Sequence, residues 1–249
     1  AEVVVWPRGL TSDEMRRVSD HLMASPSSPS PPPLPSVSPP PPPSPSSPPL
    51  PPAYPVDLNA WYCPGAFNIA SSTWQDCSGN GKTATLSGSG LAELRSEGHG
   101  AASEVLALSG TTSSVISFGA IIKSSFTVCS VTRYTGSARK AILQGDWAQT
   151  KKPWVHGHYG GNAGVAAYGG SSFWNTAYPG NVSPDTDWVV MCGTNVGSQL
   201  MLVNGVDVGT AAGGTGGESL LVNPNLGYGK SHFAIAEVVV WPRGLTSDE

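Results

Sequence analysis

The chain carries one peptide twice. Residues 1–14 read AEVVVWPRGLTSDE, and residues 236–249 read AEVVVWPRGLTSDE again, identical at every position. A repeat at fixed spacing constrains the architecture before any local pattern does. If the peptide is a strand that completes a sheet, one domain offers one slot and this chain carries two occupants. One of them then serves a preceding copy of the domain or a neighbouring molecule. The alternative is one repeat cut from a longer chain with overlapping ends, which also implies a tandem array.

Each copy opens on a β-branched run, AEVVVW, stopped by Pro7 in the first. Thr11 followed by Glu14 three residues later is a capping-box pattern. Met15, Val18 and Leu22 recur at helical spacing, which predicts a short amphipathic helix to about Met23. Residues 24–55 then change character and hold 17 of the 24 prolines, interleaved mainly with serine. No Asp, Glu, Lys or Arg stands between Asp20 and Asp57. Proline fixes φ and removes a donor, and it pushes the preceding residue to extended geometry. The tract reads as a polyproline II rod rising ~3.1 Å per residue, with a flexible linker as the alternative.

Residues 56–249 read as one all-β domain. Strand-like runs recur at short spacing: SEVLALSG, SSVISFGAII, SSFTVCSVTRY, KAILQGD, WVHGHYG, GVAAYGG, DWVVMCGT, SQLMLVNG and SHFAIAEVVVW. Asn204-Gly205 inside LVNGVDV predicts a two-residue hairpin, because that turn needs positive φ at both central residues. Many short strands with Gly-rich turns mean a sandwich or barrel.

Composition narrows the partners. Charged residues make up 12% of the chain, against about a quarter in ordinary soluble domains. A net charge of −4 gives no case for nucleic acid or an anionic membrane. No apolar run approaches the ~20 residues of a membrane helix. Ala1 opens directly on a strand-like run, so a mature or internal stretch without a signal peptide is expected. There are four cysteines and no CxxC pair, which argues against a zinc cluster. Cys129 and Cys192 sit in strand-like runs and could bridge across strands; Cys63 and Cys77 bracket a loop that a second bridge would close. Four buried free thiols are the alternative. Two disulfides would mean an oxidising, extracellular setting.

The order of motifs carries a resemblance. WQDCSGNGKTATL (74–86), SFTVCSVTRY (125–134), DTDWVVMCGTNVGSQLMLVNGVDVGT (185–210) and the closing FAIAEVVVWPRGLTSDE (233–249) resemble the ordered motifs of laminin-G-like, concanavalin A-like jelly-roll domains. The resemblance implies a concanavalin A-like jelly-roll sandwich with a short closing helix, and the polyproline II rod read from the prolines stands beside it. It makes residues 1–23 the closing strand and helix of a preceding repeat, 24–55 a Pro/Ser-rich linker, and 56–249 a sandwich ending in the repeated strand. The Ser-Pro tract is similar to the hydroxyproline-rich extracellular matrix and flagellar-filament glycoproteins of green algae. That likeness implies hydroxylated, glycosylated prolines at Pro31, Pro32, Pro33, Pro39, Pro40, Pro41, Pro42, Pro43, Pro45, Pro48 and Pro49. Asn181-Val182-Ser183 adds an N-glycosylation sequon.

Chemistry is harder to find. Sandwich glycoside hydrolases carry carboxylates at alternate strand positions, and Glu93, Glu97 and Glu104 lack that spacing. No catalytic residue is expected, and the chain reads as a non-enzyme. His156 and His158 lie two apart on a predicted strand and share a face, yet no third metal ligand can be named. Asp146, Asp185, Asp187 and Asp207 are loop carboxylates. They make calcium the one candidate cofactor, with turn capping as the plainer role. Trp147, Trp154, Trp174 and Tyr178 are candidate carbohydrate contacts, while Trp61, Trp74 and Trp188 read as core or staple residues.

Three functions remain, the weakest of them an accessory module of a carbohydrate-active enzyme, which a catalytic domain elsewhere in the full chain would support. The first is the repeat unit of an extracellular glycoprotein filament, its partners being copies of itself in a linear or helical polymer and covalently attached glycans. Assembly would run through Val3, Val4, Val5 and Trp6 and their counterparts Val238, Val239, Val240 and Trp241. The second is a secreted lectin-like module on a glycosylated stalk.

Overall fold

A computed structural model of the chain describes residues 57–169, 182–196, 200–210, 214–246 and 249. The expectations for 1–23 and 24–55, the prolines named above, Val3 to Trp6, Trp174, Tyr178 and Asn181 fall outside the described residues.

Two antiparallel sheets face each other. The first contains β1 (Ala60–Tyr62), β5 (Ala92–Gly98), β6 (Ala101–Gly110), β8 (Thr127–Tyr134), β12 (Val189–Thr194), β13 (Leu200–Val203), β14 (Val206–Thr210) and β16 (Phe233–Trp241). Its order is β14-β13-β12-β8-β16-β6-β5, with β1 paired to β16 beside β6. The second contains β2 (Phe67–Asn68), β3 (Thr73–Trp74), β4 (Ala84–Gly88), β7 (Ser114–Ile122), β9 (Leu143–Gly145), β10 (Trp154–Tyr159), β11 (Asn162–Tyr168) and β15 (Glu218–Val222), in the order β11-β10-β9-β15-β7-β4-β3-β2. This is the expected all-β sandwich. One feature departs from the sequence reading: a one-turn helix, α1 (Trp147–Thr150), follows β9 where only a turn was expected.

The repeated peptide accounts for the middle of the first sheet. β16 pairs with β8 along most of its length, with β6 at its start and with β1 near its end, Tyr62, Trp61 and Ala60 facing Val238, Val239 and Val240. All nine of its residues are buried. Phe233, Ile235, Val238 and Val240 join the main core, while Ala234 and Ala236 pack on the opposite face with Trp188 and Val131. Burial on both faces is why the segment reads as a nearly continuous apolar run, broken at Glu237, rather than an alternation.

The core between the sheets is aromatic at one end, where Tyr62 packs on Phe118 at 4.7 Å and Phe67 meets Trp74 edge-on at 5.6 Å. Asn204 and Gly205 both take positive φ (49° and 77°) in the turn joining β13 to β14, as the Asn-Gly pair predicts. Both disulfides form as paired in the sequence reading, Cys63–Cys77 and Cys129–Cys192. The second joins residues directly opposite each other on β8 and β12. Beside the first, the Asp76 carboxylate gathers a loop: it accepts from the Trp61, Ser78 and Lys82 amides and from the Ser78 hydroxyl. Burial pushes its pKa up, but those hydrogen bonds outweigh the burial and leave it below the usual value.

Candidate functional site

Three aromatic side chains converge on the outer face of the second sheet. Asp146 caps α1 by accepting from the Ala148 amide at 3.0 Å, which sets Trp147 on the first helical residue. Tyr159 ends β10, and Tyr228 comes from the loop between β15 and β16. Trp147 and Tyr228 meet edge-to-face, centroids 5.6 Å apart and planes at 79°. Tyr159 and Tyr228 do the same at 6.0 Å and 84°. All three are half-buried.

The cluster is held from below. Gln144, buried on β9, accepts from the Tyr228 amide at 2.7 Å and donates to the Gly229 carbonyl at 3.0 Å. Ala141, Val155 and Ala167 form a small apolar bed on which Tyr159 and Tyr228 rest. Burial, with smaller contributions from Tyr159 and Glu218, pushes the Tyr228 hydroxyl up to about 12. Glu218 is buried at the start of β15 and accepts from the Thr150 hydroxyl at 3.1 Å through one oxygen. Its other oxygen has no hydrogen-bond partner, and burial pushes its carboxyl above the usual range.

Of the residues nominated by sequence, Trp147 alone of the described pair belongs to this surface. Trp154 is corrected: it is 0% exposed and packs on Tyr168 and Phe126 between the sheets, out of reach of a sugar. His156 and His158 do share a face, but it is the interior one. His156 contacts the Tyr168 hydroxyl and the Met191 carbonyl, His158 contacts Thr132, and burial lowers them to about 4 and about 3. Among the described residues no group of three His, Cys, Asp or Glu could hold a metal ion. Asp146 caps α1, Asp185 pairs with Arg139 at 2.7 Å, Asp187 stands beside Gly100, and Asp207 lies on β14. Glu93 and Glu104 flank Arg95 on the exposed β5–β6 hairpin. Trp74 and Trp188 are buried as expected, and Trp61 donates its indole N–H to Glu237 at 2.6 Å. Val238, Val239, Val240 and Trp241 are all buried within β16, which makes them a part of this sheet rather than an open assembly surface. Tyr159 and Tyr228 were not nominated by sequence. The available signal was weak: a Tyr ending a strand, and a Tyr between two glycines.

No family model matches the sequence, and no curated protein matches it. Solved structures share the fold. Domain 4 of an extracellular GH43 arabinanase from Geobacillus stearothermophilus, in complex with arabinotriose, superposes with a TM-score of 0.53 at 17% identity, over 77% of this chain and 95% of that one. A Trypanosoma rangeli sialidase in complex with 2,3-difluorosialic acid gives 0.50 at 13% identity over 82% of this chain, which spans 34% of the sialidase. These neighbours are parts of carbohydrate-active enzymes. That finding corrects two expectations together, the filament repeat unit and the non-enzyme. No helix among the described residues is long and apolar enough to cross a membrane.

Proposed function

We propose that the sandwich binds carbohydrate, and that Trp147, Tyr159 and Tyr228 form the platform. The observation that carries this reading is the cluster itself: three half-buried rings on one sheet face, with the Tyr228 backbone fixed from below by Gln144. A ring that is apolar on its face and polar at its tip suits a ligand that is itself half apolar, such as the C–H face of a sugar. Trp147 and Tyr159 each stand nearly perpendicular to Tyr228, so the cluster offers separate facets rather than one flat plane. Such facets fit successive residues of a soluble, bending chain better than a crystalline surface. The arabinanase domain with the same fold holds arabinotriose, which makes arabinan the first glycan to try.

The two disulfides support an extracellular setting. The composition of residues 24–55 supports a stalk carrying the module, with the named prolines and Asn181 as sites for attached sugars, and residues 1–23 as the closing strand and helix of a preceding unit. Titration calorimetry of the full chain with arabinan oligosaccharides tests the site. Trp147→Ala and Tyr228→Ala should each weaken binding at least about tenfold, roughly 1.4 kcal/mol, at unchanged thermal midpoint. Variants that bind as the parent does would remove the platform from consideration.

A further inference from the structure

The sequence has six lysines, and four of them, Lys140, Lys151, Lys152 and Lys230, stand on the two segments that carry Trp147 and Tyr228. The chain as a whole is net negative, at −4, so this is a local reversal of sign. Lys151 caps the helix that begins at Trp147, its amide bonded to the Trp147 carbonyl at 3.2 Å. Lys152 follows it, its amide bonded to the Thr150 hydroxyl. On the other side, the stem of Lys140 runs along Gly229, next to Tyr228: a Cβ at Gly229 would lie 2.7 Å from Lys140 Cγ. Lys230 is the next residue along. Lys140, Lys151 and Lys152 are exposed and Lys230 half-buried, and none of the four forms a salt bridge among the described residues. A lysine that lays its stem on the protein and leaves its ammonium in water keeps that charge available to a ligand.

The acidic groups of these segments do not cancel them. Within 136–152 the sole carboxylate is Asp146, which spends an oxygen on the helix cap. Within 214–232 it is Glu218, buried and bonded to the Thr150 hydroxyl, and of the four lysines it acts on Lys152. The remaining cation there, Arg139, is matched by Asp185.

We infer that the platform takes an anionic glycan, its sugar faces resting on Trp147, Tyr159 and Tyr228 and its carboxylate or sulfate groups meeting Lys140, Lys151, Lys152 and Lys230. This rests on the carbohydrate-binding reading above. Charged contacts at an exposed rim should show strong salt dependence.

The test is binding of the full, disulfide-intact chain to two matched pairs: polygalacturonate with its methyl ester, and dextran sulfate with dextran. The ester and the dextran keep the sugar backbone and remove the charge. The expected result is at least tenfold tighter binding to a charged member than to its neutral partner, an advantage that shrinks between about 20 and 200 mM salt. Preference in the first pair identifies a uronate ligand and in the second a sulfated one. Lys140→Gln with Lys230→Gln should erase most of that preference and leave neutral binding alone, whereas Trp147→Ala should weaken both members. Equal binding of charged and neutral chains overturns the anionic inference and keeps the platform. Binding to none of the four and to no arabinan overturns the platform as well.

Discussion

His156 on β10 lies 3.2 Å, through Nε2, from the main-chain carbonyl of Met191 on β12, so a side chain of one sheet bonds the backbone of the other across the middle of the sandwich. A carbonyl only accepts, so Nε2 carries the proton and Nδ1 faces the Tyr168 hydroxyl at 2.7 Å. Burial lowers His156 to about 4 and His158, with His156 adding to the effect, to about 3. Both folded values lie below the ordinary 6.5. The stability they contribute is therefore complete above about pH 6.5 and lost as pH falls toward 4 and 3. Each contributes a slope of at most about 1.4 kcal/mol per pH unit. Urea midpoints measured from pH 7.5 to 5 should fall steadily below 6.5. In a His156→Gln, His158→Gln variant that fall should flatten, whatever the variant's stability at pH 7.5.

Glu218 titrates with the opposite sign. Its folded pKa is raised, chiefly by burial, so its favourable contribution is present below the ordinary carboxylate pKa and lost as pH rises through the folded value. Above that value the fold holds a buried charge with one oxygen lacking a hydrogen-bond partner. Glu218→Gln keeps the shape and removes the charge. It should raise stability at pH 8 by on the order of 1 kcal/mol and do little at pH 4. Denaturant curves at the two pH values check this; equal effects at both would mean the carboxyl is not charged in the folded protein at pH 8.

The long disulfide should matter more than the short one. Cys129–Cys192 closes 63 residues of chain and Cys63–Cys77 closes 14. Loop-closure entropy in the unfolded chain gives about 4 kcal/mol for the first and about 3 for the second. Paired Cys→Ala variants, compared by guanidinium midpoint, should follow that order. The reverse order would mean that the Asp76 loop depends on its bridge for native geometry, since Asp76 collects the Trp61, Ser78 and Lys82 amides beside Cys77.

Much of this frame is legible in the sequence because the relevant signals are local. Asn204-Gly205 demands a turn that few other dipeptides make, and SFTVCSVTRY and DWVVMCGT each announce a strand with a cysteine in register. β16 is visible as an apolar run, interrupted at Glu237 alone, because both its faces are buried. The platform is not local. Trp147 depends on a one-turn helix too short to show a period, and Tyr228 joins it from about 80 residues away. Trp154 illustrates the other failure. In WVHGHY, alternation separates Trp154, His156 and His158 from Val155 and Tyr159, but both sets contain an aromatic residue. Only packing against Phe126 and Tyr168 decides that the tryptophan goes in and Tyr159 stays at the surface.

The repeated peptide allows one test that few chains offer, because the same substitution can be placed in either of two identical segments. Val238 and Val240 are 0% exposed and fill the main core from β16. Truncating both to alanine removes about four buried methylene equivalents, near 0.8 kcal/mol each before any cavity is counted, so a loss of about 3 to 4 kcal/mol is expected. Val3→Ala with Val5→Ala makes the corresponding change in the first copy and should leave the unfolding midpoint of the sandwich where it was. The comparison also reads out exchange between the copies. If the first copy can enter the slot between β8 and β1, an intact Val3 and Val5 would rescue the damaged β16, and the loss from Val238→Ala with Val240→Ala would shrink below about 1 kcal/mol. Truncating all four valines together would then restore the full loss, which separates rescue by the first copy from simple tolerance of the smaller side chains.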